Sequence, residues 1–473
     1  MNICKSRHPL SIILVVVMVI ALGVMLSACD GGADDVEGAI NIPDDYSTIQ
    51  GAIDAAEEGD VIVVSPGTYR ENINFGGKNI TLRSTDPEDP EVREQTVIDG
   101  GRTGSVVVFE NGEGEEAVIS GFTITGGGGN PETLEFEIEG EVREEAAKYG
   151  GGMIILNDST PTVKNNFFVN NVAERGGGIM IHDSSPLISN NMINGNTSTG
   201  GGGGIFIAHS PAVSIIDNDI SRNIAQRSGG GIAISGEGEE PSNFEGNNIS
   251  ENRAQNGGGF SIFEANPNIN NNNILNNDSS QTGGGIFMMK ASPVITGNDL
   301  SDNQSDYRGG GVAVSFESSP VLEDNIIIGN NADNAGGGLL ININSTPRLE
   351  RNVISDNRSR NGGGFLISDG STPELVDNEI TNNNAEGNGA GIYVTASAPV
   401  IEANSISNND ARGDGGGIYA VNESTVLVTN NLFEGNRSRE GAAMHSSEGA
   451  ILELNDPDDN TYEDNAPDDV YEE

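Results

Sequence analysis

Two histidines, scattered carboxylates and a regular series of large side chains are what this 473-residue chain offers for chemistry. His182 and His209 follow similar apolar runs, IMIH and IFIAH, one repeat apart, so they could be neighbours. Imidazole suits transition metals, and such a pair could hold an ion. The plainer reading is two solvated turn histidines, and no Cys or Met-rich tract accompanies them. Asp183 and Glu264 could hold Ca²⁺, which takes carboxylate oxygens, but no spacing defines a site. The third candidate is a column that includes Met180, Phe206, Phe287, Leu340, Tyr393 and Tyr419, each flanked on both sides by aliphatic or small residues. If the flanking residues point inward, the column faces solvent, where large apolar residues are sparse. Phe206, Phe287, Tyr393 and Tyr419 are then the candidate ligand-binding face, with rings to lay against sugars. The competing reading is that cross-coil strand packing alone favours such residues.

The elements that must position these residues are legible from periodicity. Glycine triplets or their close variants begin at 150, 176, 202, 229, 257, 283, 309, 336, 362, 389, 415 and 441, at intervals of 26 to 28 residues. After each comes an alternation such as Ile179/Ile181 or Val312/Val314, the pattern of a half-buried strand. A Ser/Thr/Asn turn follows, usually ending in Pro (Pro186, Pro293, Pro373), and Pro suits the first residue of a strand. A second strand leads to an Asn column that includes Asn191, Asn218, Asn298, Asn325, Asn352, Asn378 and Asn404. Asn tolerates the left-handed conformation of a tight corner. A third strand of two or three residues ends at another Asn column, through Asn196 and Asn223, before the next glycines.

Three short strands in about 26 residues describe one coil of a parallel β-helix. Coils stack at the interstrand spacing, so twelve of them make a rod roughly 60 Å long. Stacking aligns the few inward aliphatics of each coil into one core, and equivalent Asn side chains can bond in ladders. This is how a chain with 66 Gly, no Trp and only 35% apolar residues can fold. A propeller fails on period.

Composition and the chain ends bound the setting. The formal net charge of −48 repels nucleic acid. It also suits a high-salt medium, where self-repulsion is screened. Residues 11–26 are continuously apolar after a short basic start, as in a signal peptide. Leu26-Ser27-Ala28-Cys29 resembles the lipobox of bacterial lipoproteins. The resemblance implies a signal peptide over 1–28, lipidation of Cys29 and a membrane tether through lipid chains. The other cysteine, Cys4, lies in the signal, so no disulfide is expected. Residues 29–39 read as a flexible tether.

Residues 40–100 read as a cap with the first coils, and 101–455 as the repeat domain. A charged insertion at 131–148 is expected to bulge as a loop or short helix. The acidic end, 456–473, is expected to fray or cap partially. Within 40–82, Ser47 and Gln50 have capping-box spacing, and Ile49, Ala52, Ile53 and Ala56 line one helix face. Such a helix would cover the open first coil, as solenoid ends require.

From Ile49 through Ala52-Ile53, Gly59-Asp60, Pro66-Gly67-Thr68-Tyr69 and Glu71 to Ile80-Leu82, the chain resembles the opening of pectin-lyase-like right-handed β-helix proteins. Pectin esterases and many bacterial surface β-helix proteins begin this way. The Gly and Asn coils resemble the surface group and the repeats of polymorphic outer-membrane proteins. The implied fold is all-β: a single-stranded right-handed parallel β-helix with an N-terminal capping helix. The family's enzyme motifs are missing: no GxxDT, DFxFG or LGRPW of pectin esterases, and no GHG or RIK of polygalacturonases. Asp456-Pro457-Asp458-Asp459 resembles the epimerase DPHD but lacks its His. The expectation is therefore a monomeric, non-catalytic cell-envelope lipoprotein presenting a rigid surface to polysaccharide or an envelope protein, with no nucleic-acid partner. The alternative is a polysaccharide lyase, hydrolase or epimerase.

Overall fold

The computed structural model describes residues 38–138, 141–237, 240–454 and 459–472. Cys29, the signal peptide and most of the tether lie outside the described residues, as do Asp456, Pro457 and Asp458. The described chain winds through about sixteen turns of parallel β-solenoid. Four parallel sheets run along it; the coils visit three of them in order from end to end, and those from Val172–Ala173 to Asp410–Ala411 visit the fourth as well. Face 1 holds the strands after the glycine triplets, such as Ile179–His182. Face 2 holds those after the Pro turn (Leu187–Ser189), and face 3 those between the Asn columns (Met192–Asn194). Face 4 is a ten-stranded sheet of short strands such as Thr197–Ser198. Three strands per coil were expected. The fourth buries only Ala or Ser, as at Ser198 and Ala225, so it carries no hydrophobic signature.

Coil register follows from matching side chains. Ile188 pairs with Ile215, which pairs with Phe244, then Ile269, Ile295 and Leu322. In one coil, Ile179, Ile181, Ile188 and Ile193 are the fully buried aliphatics of the central core. A one-residue slip would turn these residues outward, so the inward aliphatics hold the register.

The Asn columns do not occupy the left-handed positions. The residue before them does from Asn166 to Asn436, as at Asn190 (φ 54°), Asp217 (φ 54°) and Arg351 (φ 54°). This frees Asn191 to turn its side chain into the coil, where it is 2% exposed. Its Nδ2 donates to the Val163 carbonyl at 2.9 Å in the preceding coil. Its Oδ1 accepts from the backbone N–H and Nδ2 of Asn166. The pattern continues unbroken from Asn166 to Asn460 and, in the second column, from Asn171 to Asn465. Asn247 belongs to the first column, bridging the gap that the enlarged turn near 240 opens in the sequence pattern.

The N-terminal cap is α1 (Ile49–Ala55), with Ile49, Ala52 and Ile53 buried. Its N-cap is Thr48, whose Oγ1 accepts from the Gly51 N–H, not Ser47. Glu71 completes the cap with both carboxylate oxygens, each 2.9 Å from the N–H groups of Ile49 and Gln50. A carboxylate suits the positive end of a helix better than the neutral Gln50 amide. Gln50 instead exchanges two hydrogen bonds with the backbone of Asn74, docking the helix on the first face-1 strand. Lys78 Nζ donates to the carbonyls of Ile53, Asp54 and Ala56 at the other end.

The charged insertion is a β-hairpin, not a loop or helix. Asn130–Ile138 pairs antiparallel with Glu141–Tyr149. Its alternation places Leu134, Phe136, Ala147 and Tyr149 against face 1, while the intervening charges face water. The acidic end is also ordered into the rod: Thr461–Glu463 joins face 3 and Val470–Glu472 joins face 1.

Candidate functional site

The outward column of face 1 is mostly covered. Met180 is fully buried, Phe206 is 3% exposed and Tyr419 8%, while Phe287 and Tyr393 are half-buried. The expected open aromatic face is therefore not what the coil presents. Two structures cover it. The hairpin lies over Val108, Ile154 and Met180 through Phe136 and Tyr149. Elsewhere the segment between faces 4 and 1 borders the column: it stacks from coil to coil, Gly201 bridging to Ser228 and Thr282 to Arg308, and Gly201 lies against the Phe206 ring. Sequence periodicity gives the direction of a side chain from its own strand, not what another segment lays on top.

The column opens where its residues shrink. Between Phe206 and Phe287 stand Ala233 and Ser261, paired in register. The result is a groove of about 410 Å³. Ala233, Ser235 and Ser261 form its floor, Phe263 and Met289 one wall, and Arg175, Phe206 and Arg227 the other. Its volume falls within the range of small-molecule sites, about 300–1,000 Å³. Sequence reading passed over Ala233 and Ser261 because it weighed large residues. The signal was the drop in side-chain size between two phenylalanines.

Charge at the groove is balanced. Arg175 lies over the rings of both Phe136 and Phe206, 5.1 and 5.0 Å from their centroids. It donates to both carboxylate oxygens of Glu145, at 3.0 and 2.5 Å. That leaves Glu174, an exposed carboxylate, and Arg227, an exposed guanidinium with no ion pair among the described residues. An acid–base mechanism on a glycoside uses two placed carboxyl groups. Of the two carboxylates here, one is committed to Arg175 and the other lies in water.

The remaining candidates are placed as follows. Tyr393 lines a separate depression of about 240 Å³ with Arg308, Leu366 and Asp369. Burial and the neighbouring Tyr419 push its phenol pKa up. The two histidines are neighbours, with ring centroids 6.1 Å apart, and both pack on Phe136. His182 is not solvated: it is 6% exposed, its Nε2 donates to the Glu135 carbonyl at 2.9 Å, and Nδ1 lies 3.3 Å from Asp183 Oδ2. Both its nitrogens are thus engaged by the hairpin and the adjacent turn. Asp183 and Glu264 share a column but stand three coils apart, roughly 14 Å. Glu264 pairs instead with Lys290 at 3.6 Å. They do not converge on a Ca²⁺ ion.

No curated protein matches the chain. The family model of the right handed beta helix region matches residues 95–282, 245–398 and 378–466. Those segments span the coils whose register, Asn columns and glycine corners are set out above. The chain belongs to the right-handed parallel β-helix family.

Proposed function

We propose that this protein is a non-catalytic cell-envelope lipoprotein that binds a polysaccharide chain across face 1, in the groove above Ala233 and Ser261. The observation that carries the reading is the groove itself. It is a two-coil gap in a mostly covered column, with apolar walls at Phe263 and Met289, hydroxyls at Ser235 and Ser261, and at Arg227 an exposed guanidinium with no ion pair among the described residues. Apolar surface beside a few convergent polar groups is the usual make-up of a ligand site. Its near-neutral charge matters in a protein of net charge −48, because an acidic groove would repel uronate-rich chains. Cys29 supplies the lipid tether in this reading, and the protein acts as a monomer without nucleic-acid partners.

The test is a glycan array probed with the full chain and with Ser261→Phe. Phe occurs at the same position in nearby coils, at Phe206 and Phe287, so the variant should fold while filling the groove. Retention of one glycan class, lost in Ser261→Phe and weakened about fivefold in Arg227→Ala, supports the proposal; one exposed charged contact is worth on the order of 1 kcal/mol. Turnover of a retained glycan to new reducing ends or unsaturated products sinks the non-catalytic reading. Binding unaffected by Ser261→Phe removes the groove, and no glycan binding at all leaves a protein partner.

A further inference from the structure

The face-1 column ends in a different chemistry from the one in which it begins. Its last outward residues are Tyr393, Tyr419, His445 and Tyr471, paired in register through four successive strands. Successive ring centroids are 5.2, 5.2 and 4.9 Å apart, with Tyr393 tilted against Tyr419 and His445 stacked on both Tyr419 and Tyr471. His445 is clamped between two tyrosines and is 3% exposed. Its Nδ1 is buried with no hydrogen-bond partner. An imidazole nitrogen left unpaired in the interior is destabilising, and the tyrosines packed on both faces of the ring hold it in place.

Beside this ring, the residue preceding the left-handed glycine is acidic in two successive coils: Asp414 before Gly415 and Glu440 before Gly441. The Gly415 N–H donates to the Glu440 carbonyl at 3.1 Å, which sets the two residues one coil apart. A ring nitrogen of His445 and one carboxylate oxygen from each acid lie within 4.8 Å of one another. Asp414 is 7% exposed, and its backbone N–H is held by Asn388 Oδ1 at 2.9 Å. Arg439 donates to both Asp414 oxygens, at 3.0 and 2.7 Å. The Arg439 side chain is 68% exposed, so it approaches from solvent and can leave without disturbing the core.

We propose that Asp414, Glu440 and His445 form a binding site for a divalent transition cation of the zinc class. The imidazole selects against Ca²⁺ and Mg²⁺, which take oxygen ligands, and in favour of borderline cations. Ligand atoms of a tetrahedral zinc stand roughly 3.3 Å apart, a contraction that rotation of the half-exposed Glu440 carboxylate can supply. Three protein ligands leave one position open to water or an incoming group. The cation would take a ring nitrogen of His445, replace Arg439 as the counter-charge of Asp414 and tie two successive coils together.

The experiment titrates Zn²⁺ by calorimetry into the full chain, stripped with chelator and dialysed at pH 7. The expected result is a site weakened at least tenfold in His445→Gln and in Asp414→Asn, and tightened severalfold in Arg439→Ala. The last substitution removes only an exposed competitor, so it reads the site even if a core variant misfolds. Hundredfold excess Ca²⁺ should leave the site occupied. Equal zinc affinity in wild type and a folded His445→Gln, an unchanged or weakened affinity in Arg439→Ala, displacement by Ca²⁺, or no uptake overturns the proposal.

Discussion

The Oδ1 of Asn218 accepts both the backbone N–H and the side-chain N–H of Asn191, at 2.9 and 3.1 Å, so one oxygen ties two coils together twice. The Asn191 Nδ2 also reaches back to the Val163 carbonyl of the coil before. Each amide therefore spans three coils and closes backbone groups that a corner would otherwise leave unpaired inside the rod.

Removing one amide should be costly. In Asn325→Ala, the N–H and Nδ2 of Asn298 lose their acceptor, and the Ile295 carbonyl loses its donor at 2.8 Å. Unsatisfied buried groups cost about 1–3 kcal/mol each, so the expected destabilisation is on the order of 3 kcal/mol. Denaturant unfolding followed by circular dichroism measures it. A loss below about 1 kcal/mol would mean that the ladder is ornament to the aliphatic core.

The first glycine of each triplet should resist substitution more than the second. Gly257 has φ 64°, and a Cβ there would meet the Phe260 carbonyl oxygen at 1.9 Å. The second position already holds Ala390 and Ala442 in two coils, both fully buried. Gly257→Ala is expected to cost 2 kcal/mol or more, since left-handed backbone alone costs an Ala about 1–2 kcal/mol. Matched thermal melts of Gly257→Ala and Gly258→Ala check the order of the two.

The hairpin should detach before the rod unfolds. Phe136 is its anchor, packed against Tyr149, His182, His209 and Arg175. Truncation to Ala removes most of that contact, worth about 3–5 kcal/mol for a buried Phe. Hydrogen exchange should accelerate in 130–149 and at His182, while the Asn-column amides stay protected. Uniform acceleration along the chain would show that the hairpin is part of the cooperative unit.

Salt should stabilise the protein. With 71 acidic against 23 basic side chains, repulsion outweighs exposed ion pairs such as those of Arg351 with Glu323, Asp324 and Glu350. Going from 0.1 to 1 M NaCl shortens the screening length from about 10 to 3 Å. A rise in melting temperature of about 2 °C is expected, equivalent to roughly 2 kcal/mol for a chain of 473 residues. A fall would show that the surface ion pairs dominate.

Sequence reading recovers the coil because its signals are periodic and local: Ile179 and Ile181 inward, Pro186 opening a side, Asn191 closing it. It misses features whose cause lies one coil away or beyond. Glu71 caps α1 from 22 residues downstream of Ile49. The hairpin's period-two alternation lies beneath a surplus of Glu. The left-handed corner falls at Asn190, Asp217 or Arg351, with no common residue type, while the neighbouring Asn is uniform for a different reason. The outward face was the least legible part, because burial of Phe206 and Tyr419 depends on the segments folded over them. His445 carries no such signal, because it sits in a coil where the second and third glycines of the triplet are Ala442 and Ala443.

The Asn columns also give the rod a direction. Every side-chain N–H in them that passes to the next column member points toward the C-terminal end, from Asn166 to Asn460 and from Asn171 to Asn465. Amide dipoles laid head to tail polarise one another and sum, so the two ends of the stack are electrically unlike although each coil is nearly the same. At the forward end, the last Nδ2 of the second column meets a carboxylate, Asp469 Oδ1, at 3.1 Å. Asp469 thus takes the donor that, elsewhere in the column, passes to the next Asn.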